Sequence, residues 1–106
     1  MTFPALLSAM RPRQWVKNLL VYAAPVAANR FTDGEVMAQA TLAFVSFCLA
    51  SSAVYLVNDC VDRASDALHP AKRHRAIASG RLSVSQAMTA AVVLGAASLG
   101  LAAIAS

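Results

Sequence analysis

The residues with the most chemistry in this chain lie in one stretch, Tyr55-Leu-Val-Asn58-Asp59-Cys-Val-Asp62-Arg-Ala-Ser-Asp66. Read as one continuous helix, it places Asp59 and Asp66 about 20° apart around the axis, with Asp62 within about 60° of both. The helical rise separates Asp59 from Asp62 by about 4.5 Å and Asp62 from Asp66 by about 6 Å. Three carboxylates on one face, with Asn58 and Tyr55 at its edge, suit one or two hard cations bridged by carboxylate and phosphate oxygens. A polar helix end emerging into water accounts for one or two such acids. It accounts poorly for three at a helix C-terminus, where the dipole opposes negative charge and like charges repel. Mg²⁺ relieves both penalties, since it takes oxygen ligands, usually one or two carboxylates plus substrate phosphates.

Shortly beyond the acids comes His69-Pro-Ala-Lys72-Arg73-His74-Arg75, running into Ala76-Ile-Ala-Ser-Gly80-Arg81. Arg presents a fork that matches phosphate and Lys a point charge, so Lys72, Arg73 and Arg75 are candidate phosphate ligands. A basic loop touching anionic lipid is the plainer account of such a run. Next to three carboxylates, direct cationic contact with a metal-bound phosphate explains more. His69 and His74, five residues apart with no cysteine nearby, do not make a zinc site, and Cys48 and Cys60 do not suggest a disulfide framework.

These groups must be positioned by helices that cross a bilayer. The chain has 106 residues, 58% hydrophobic and only 13% charged. Residues 36–58 and 82–106 carry no charge at all, and each run exceeds the roughly 20 residues that span a hydrocarbon core. A shorter apolar run, 18–29, becomes a span if Trp15 and Lys17 sit at the interface and Arg30 snorkels. The expected fold is therefore all-α, a transmembrane helical bundle forming a single membrane domain over 1–106, with spans at about 15–30, 35–58 and 83–106. A soluble Ala-rich bundle would need polar helix faces, which the second and third runs lack. The first 28 residues mimic a signal peptide, but Pro25 interrupts the apolar stretch, and a basic segment containing Trp15 suits a retained anchor better.

Local signals refine this layout. Residues 3–10 predict a short interfacial helix ended by Arg11-Pro12, and Pro25 predicts a kink in the first span. Thr32 with Glu35, and Ser83 with Gln86, predict capping boxes for the second and third long helices, the latter just after a break at Gly80. Ala91 with Gly95 and Ala96 with Gly100 form small-xxx-small pairs that expect a helix neighbour, from further spans or from a second copy in a homo-oligomer.

The formal net charge is +4. Its distribution speaks for topology rather than for nucleic acid. Eight of the nine Lys and Arg residues (Arg11, Arg13, Lys17, Arg63, Lys72, Arg73, Arg75 and Arg81) fall on one side of a three-span layout, and only Arg30 on the other. The positive-inside rule then places the N-terminus and the loop after the second span in the cytoplasm.

The pattern Asn58-Asp59-x-x-Asp62-x-x-x-Asp66 resembles the first aspartate motif of the UbiA-type prenyltransferase superfamily, which binds diphosphate through Mg²⁺. Arg11-Pro12-Arg-Gln14-Trp15-Val-Lys17-Asn18, together with His69-Pro70-x-Lys72-Arg73-x-Arg75 and Ile77-Ala78-Ser79-Gly80, is similar to the branch whose members move phosphoribose onto decaprenyl phosphate. The likeness departs at Ala76, where that branch usually has proline. It implies an enzyme of the bacterial inner membrane that works from the cytoplasmic face in making arabinan precursors for the cell wall. Phosphoribose would pass from 5-phosphoribosyl 1-diphosphate to a polyprenyl phosphate, with Mg²⁺ as cofactor and the lipid bilayer as the setting. On the same likeness, Asp59, Asp62 and Asp66 hold the metal, and Asp59 and Asp62 are the catalytic pair. Lys72, Arg73 and Arg75 hold the leaving diphosphate or the 5-phosphate. Lys17 meets a phosphate, and Asn58 orients a metal ligand or a ribose hydroxyl. The resemblance further implies about nine spans and a second aspartate motif, so these 106 residues are expected to be an N-terminal third, inactive alone. Two other readings stay open: prenyl transfer from a prenyl diphosphate to an aromatic acceptor, and a non-enzymatic membrane subunit.

Overall fold

The computed structural model describes residues 3–105, and every regular element among them is helical. Helix α1 spans Phe3–Met10 and ends, as expected, at Arg11-Pro12. A 3₁₀ helix, Pro12–Tyr22, leads into the short α2, Ala23–Ala27. Two long helices follow, α3 over Gly34–Val61 and α5 over Val84–Ala105. Between them lie α4, Arg63–Leu68, and a 3₁₀ turn, Lys72–His74. Both long helices have the length and apolar content to cross a membrane.

The α3–α5 pair is the body of the structure, and its packing is that of membrane helices. Small and weakly polar residues are buried: Ser46, Ser52 and Ala53 on α3, and Ala87, Ala91 and Ser98 on α5. Large apolar side chains point outward instead, among them Phe47, Val54, Val92, Val93, Leu99 and Ile104. In water such a surface would be a liability. In lipid, which offers the same apolar surroundings as a protein core, close approach of small residues is what holds helices together. The contact does not use the predicted small-residue pairs as such. Ala91 is buried, but a Cβ at Gly95 or Gly100 would meet nothing within 4 Å. The i, i+4 step Ala87–Ala91 lines the seam instead.

The helix starts show one correction and one agreement. Asp33, not Thr32, caps α3, accepting from the amides of Glu35 at 3.0 Å and Val36 at 3.2 Å. The Arg30 guanidinium, 2.9 Å away, holds the Asp33 carboxyl below the usual carboxylate range, helped by those amides. Asp33 directly precedes the first helical residue, the position from which a side-chain oxygen reaches the free amides of the first turn. At α5 the Ser83–Gln86 box forms in both directions, with bonds of 3.1 and 3.2 Å.

The expected first span, about 15–30, is not one kinked α-helix. The 3₁₀ helix instead runs antiparallel beside α3 and sets its polar side chains against a single stripe. Arg11 meets Asp59, Trp15 meets Ser52, Asn18 meets Cys48 and Tyr22 meets Thr41. On α3 the steps between 59, 52, 48 and 41 are seven, four and seven, so the four share a face. They cover about 27 Å of helix axis at 1.5 Å per residue. From 11 to 22 an α-helix would advance only about 16 Å, whereas a 3₁₀ helix at about 2.0 Å per residue covers about 22 Å. The tighter helix comes nearer to keeping step. Pro25 lies in the first turn of α2, where its missing N–H removes no helical bond.

The tightest core lies at the far end of α3. Ala5 and Ala9 of α1, Ala53 and Leu56 of α3, Ala76, Ile77 and Leu82 of the connecting loop, and Ala87 and Ala91 of α5 pack as one cluster. Leu56, Ile77 and Leu82 are essentially inaccessible. That cluster fastens the loop beneath the last turns of α3, where the acids are.

Candidate functional site

Asp59 sits in the last turn of α3, on the stripe that faces the N-terminal segment, and Asp66 sits in the middle of α4. Both are buried, at 3% exposure each. Arg75 stands between them: its Nη1 lies 3.4 Å from Oδ1 of Asp59 and 3.2 Å from Oδ2 of Asp66. Arg11 reaches the same Oδ1 of Asp59 at 2.5 Å. Two aspartates are thus neutralised by two arginines that arrive from opposite directions in the sequence. A buried carboxylate needs such partners, because leaving it unpaired away from water costs several kcal/mol, on the order of the ionic desolvation penalty.

Each arginine is placed by its own segment. Arg75 follows the 3₁₀ turn Lys72–His74, whose start is capped by Nδ1 of His69, accepting from the amides of Ala71 and Lys72 at 3.1 Å each. Buried Ala76 and Ile77 come next and anchor the chain directly behind Arg75. Gly80, at φ 85°, turns the chain back toward α5, and Arg81 ties the loop by donating to the carbonyl of His74 at 2.6 Å. Arg11 occupies the joint between α1 and the 3₁₀ helix in a left-handed conformation, φ 55°, ψ 65°. Its guanidinium lies over the Tyr55 ring, 4.5 Å from the centroid. Tyr55 and Asp59, four residues apart, stand one above the other on α3, so a cation stacked on the ring meets the carboxylate.

The three-carboxylate face expected from the sequence is only partly assembled. Helix α3 ends at Val61, and Asp62 adopts φ −89°, ψ 6° before α4 begins. As the helical spacing predicts, Asp59 and Asp66 share the side that faces Arg75, while Asp62 is exposed. No group of three or more His, Cys, Asp or Glu residues poised around a metal is present among the described residues. Asp59 and Asp66 do converge on one point, and their oxygens are the donor type a hard divalent cation takes. The Asp62 carboxylate is exposed, with no partner among the described residues, and does not join them.

The other sequence-derived candidates are more dispersed. Lys72 and Arg73 are exposed on the 3₁₀ turn, on the same loop as Arg75. Asn58 is exposed too, but lines a groove of about 300 Å³ between α3 and α5, with Val54, Val57, Met88 and Val92, and not the ion cluster. Lys17 is exposed on the 3₁₀ helix between Trp15 and Asn18, which pair with Ser52 and Cys48. That level lies roughly 10–16 Å along α3 from Asp59. Arg11 had stood in the sequence only as a topological charge and as part of a motif. The signal that points to it is a basic residue fixed before proline, together with Tyr55 and Asp59 at helical spacing.

Residues 19–106 match the model of the UbiA prenyltransferase family. Over 97 residues the chain is 54% identical to the decaprenyl-phosphate phosphoribosyltransferase of Mycobacterium tuberculosis, covering 88% of this chain and 32% of that protein. The protein of the same name from Corynebacterium glutamicum is 48% identical over 98 residues, 91% of this chain and 30% of the relative. The nodulation protein NoeC of Azorhizobium caulinodans is 42% identical over 81 residues, 76% of this chain and 26% of the relative. The chain thus spans about a third of the length of the curated phosphoribosyltransferases it matches.

Proposed function

The chain belongs to the UbiA prenyltransferase family, whose members are membrane-embedded and generally depend on a divalent metal, and from that membership we propose that it forms the first part of an enzyme that transfers phosphoribose from 5-phosphoribosyl 1-diphosphate to a polyprenyl phosphate. The single observation that carries this reading is the cluster of Asp59, Asp66, Arg75 and Arg11 at the end of a membrane-length helix. The names of the relatives above supply the choice of donor and acceptor.

In the reaction, an oxygen of the acceptor phosphate forms a bond to the anomeric carbon of the ribose. The bond from that carbon to the diphosphate oxygen breaks, and diphosphate leaves with the electron pair. Asp59 and Asp66, joined by the exposed Asp62, would hold Mg²⁺, which supplies positive charge to the diphosphate when bound. Arg75 is already beside both buried carboxylates and would turn one face of its guanidinium to the departing oxygens. Lys72 and Arg73, exposed on the same turn, would take the 5-phosphate or the outer phosphate. Preorganised cations contribute most where negative charge grows during the reaction. Lys17 lies deeper along the Asp59 stripe, where it would meet the phosphate of a lipid acceptor. Asn58, next to Asp59 on the rim of the α3–α5 groove, would bond a ribose hydroxyl or a metal ligand.

We infer the orientation from charge. Asp59, Arg75 and the basic loop face the cytoplasm of a bacterial inner membrane, and the Arg30–Asp33 turn faces the opposite side. Three passes follow, because the 3₁₀ helix and α2 together rise about 30 Å, as far as a hydrocarbon core is thick.

The direct experiment is transfer of labelled phosphoribose to decaprenyl phosphate in membranes containing the complete protein with and without added Mg²⁺. Mg²⁺-dependent appearance of lipid-linked phosphoribose supports the reading. Transfer of a labelled prenyl group to an aromatic acceptor, with no phosphoribose transfer, would replace it.

A further inference from the structure

Arg13 takes no part in the ion cluster. Arg11 spends its charge on Asp59, whereas Arg13, two residues on, is exposed and has no partner among the described residues. It lines a cavity of about 380 Å³ at the joint between α1 and the 3₁₀ helix, together with Ser8, Arg11, Pro12 and Gln14. Its depth follows from its neighbours. Arg11 meets Asp59 near the end of α3, and Trp15 meets Ser52, seven residues or about 10 Å further into the span. Arg13 lies between these levels, where hydrocarbon gives way to headgroups. A 3₁₀ helix has three residues per turn, so Arg13, Val16 and Leu19 stand one above another at steps of about 6 Å. Val16 and Leu19 are 65% and 49% exposed. From the membrane surface inward, this edge therefore presents a free cation beside a cavity and then two apolar side chains open to the bilayer.

We propose that this edge of the 3₁₀ helix binds an acidic phospholipid of the cytoplasmic leaflet, on the orientation inferred above. Its phosphate rests on Arg13, its headgroup hydroxyls meet Ser8 and Gln14 in the cavity, and one acyl chain runs along Val16 and Leu19. A guanidinium suits the phosphate, because its fork donates to two oxygens at once. Anionic lipid is also what a cation at this depth attracts. The apolar column separates a lipid from a free phosphate ion, which would use the top of the edge and leave the rest bare. The site is distinct from the phosphoribosyl reaction and from Lys17. That residue, four further along, lies a third of a turn around the 3₁₀ helix and about 8 Å deeper.

The test uses the complete protein in phosphatidylcholine vesicles doped with spin-labelled phosphatidylglycerol or spin-labelled phosphatidylcholine. Electron paramagnetic resonance reads the motionally restricted fraction of each label. The unaltered protein is expected to hold phosphatidylglycerol in preference to phosphatidylcholine, and Arg13→Gln to cut that preference at least about threefold. Ser8→Leu, which fills the cavity without touching charge, should lower it as well. Arg63→Gln removes the same charge from the same side of the membrane, on the exposed face of α4, and should leave the preference unchanged. Equal losses in Arg13→Gln and Arg63→Gln would reduce the effect to general surface charge and overturn the proposal, as would no loss in Arg13→Gln. Two competitors separate the sources of phosphate. Millimolar inorganic phosphate should not displace the labelled lipid, and displacement would show an ion site instead. Unlabelled decaprenyl phosphate that displaces the label from the unaltered protein but not from Arg13→Gln would assign the cavity to the acceptor lipid and overturn the proposal too.

Discussion

The hydroxyls of Ser46 and Ser98 each donate to the other residue's backbone carbonyl at 2.8 Å, with the two hydroxyl oxygens 3.0 Å apart. This reciprocal pair clamps the middle of α3 to the last third of α5, far from the core cluster at the other end. Interhelical hydrogen bonds of this kind contribute about 0.6 to 2 kcal/mol each in membranes. Ser46→Ala and Ser98→Ala should each lower stability by about that amount. Each variant keeps the carbonyl to which the other hydroxyl donates, so only the 3.0 Å contact between the hydroxyls couples the two changes, and the double variant should fall short of the sum by less than either single cost. Thermal unfolding in detergent, read as a double-mutant cycle, checks it, and strict additivity would show that the hydroxyls act separately.

Asp59 and Asp62 should part company when neutralised. The Asp62 carboxylate has no partner among the described residues, so Asp62→Asn should leave stability unchanged while lowering phosphoribosyl transfer by roughly a hundredfold, the scale of a lost preorganised charge. Asp59→Asn should lower transfer as much and destabilise as well, because Arg11 and Arg75 lose their shared acceptor. Full activity in Asp62→Asn would leave Asp59 and Asp66 as the whole carboxylate set.

Arg75 differs from its basic neighbours in the same way. Its removal strands the buried Asp66 carboxylate and leaves Asp59 to Arg11 alone, and breaking such a pair costs about 3–5 kcal/mol when fully buried. With the Arg75 side chain 32% exposed, about 1–3 kcal/mol is the expected loss after screening. Lys72→Ala and Arg73→Ala should leave stability alone and raise the apparent KM for 5-phosphoribosyl 1-diphosphate. Thermal shift and initial-rate measurements on the same preparations separate the two patterns.

Orientation is open to a labelling test. Cysteines introduced at Ser65 and Asp33, in a protein whose native thiols are replaced, should react differently with an impermeant maleimide added to intact cells. Labelling at position 33 and protection at 65 is the expected result. Strong external labelling at 65 would place the acids on the wrong side for a cytoplasmic sugar diphosphate.

Much of this molecule is decided by sequence alone. The uncharged runs 36–58 and 82–106 are each long enough to cross a bilayer as a helix that satisfies its own backbone, and both are helical over nearly their whole length. Ser83 and Gln86 cap α5, and Arg11-Pro12 ends α1, because these are effects of neighbours along the chain. Tertiary structure decided the rest. That Asp66 meets Arg75 depends on the packing of Ile77 and Leu82 into the core, which brings the loop back beneath α3, and no local spacing encodes that. The 3₁₀ form of residues 12–22 depends on the stripe of α3 against which it must keep step. The role of Arg11 needed 48 residues of chain to fold back before its guanidinium and the Asp59 carboxylate became neighbours. Helical periodicity reports which residues share a face. It carries no information about which distant charge will come to rest upon it.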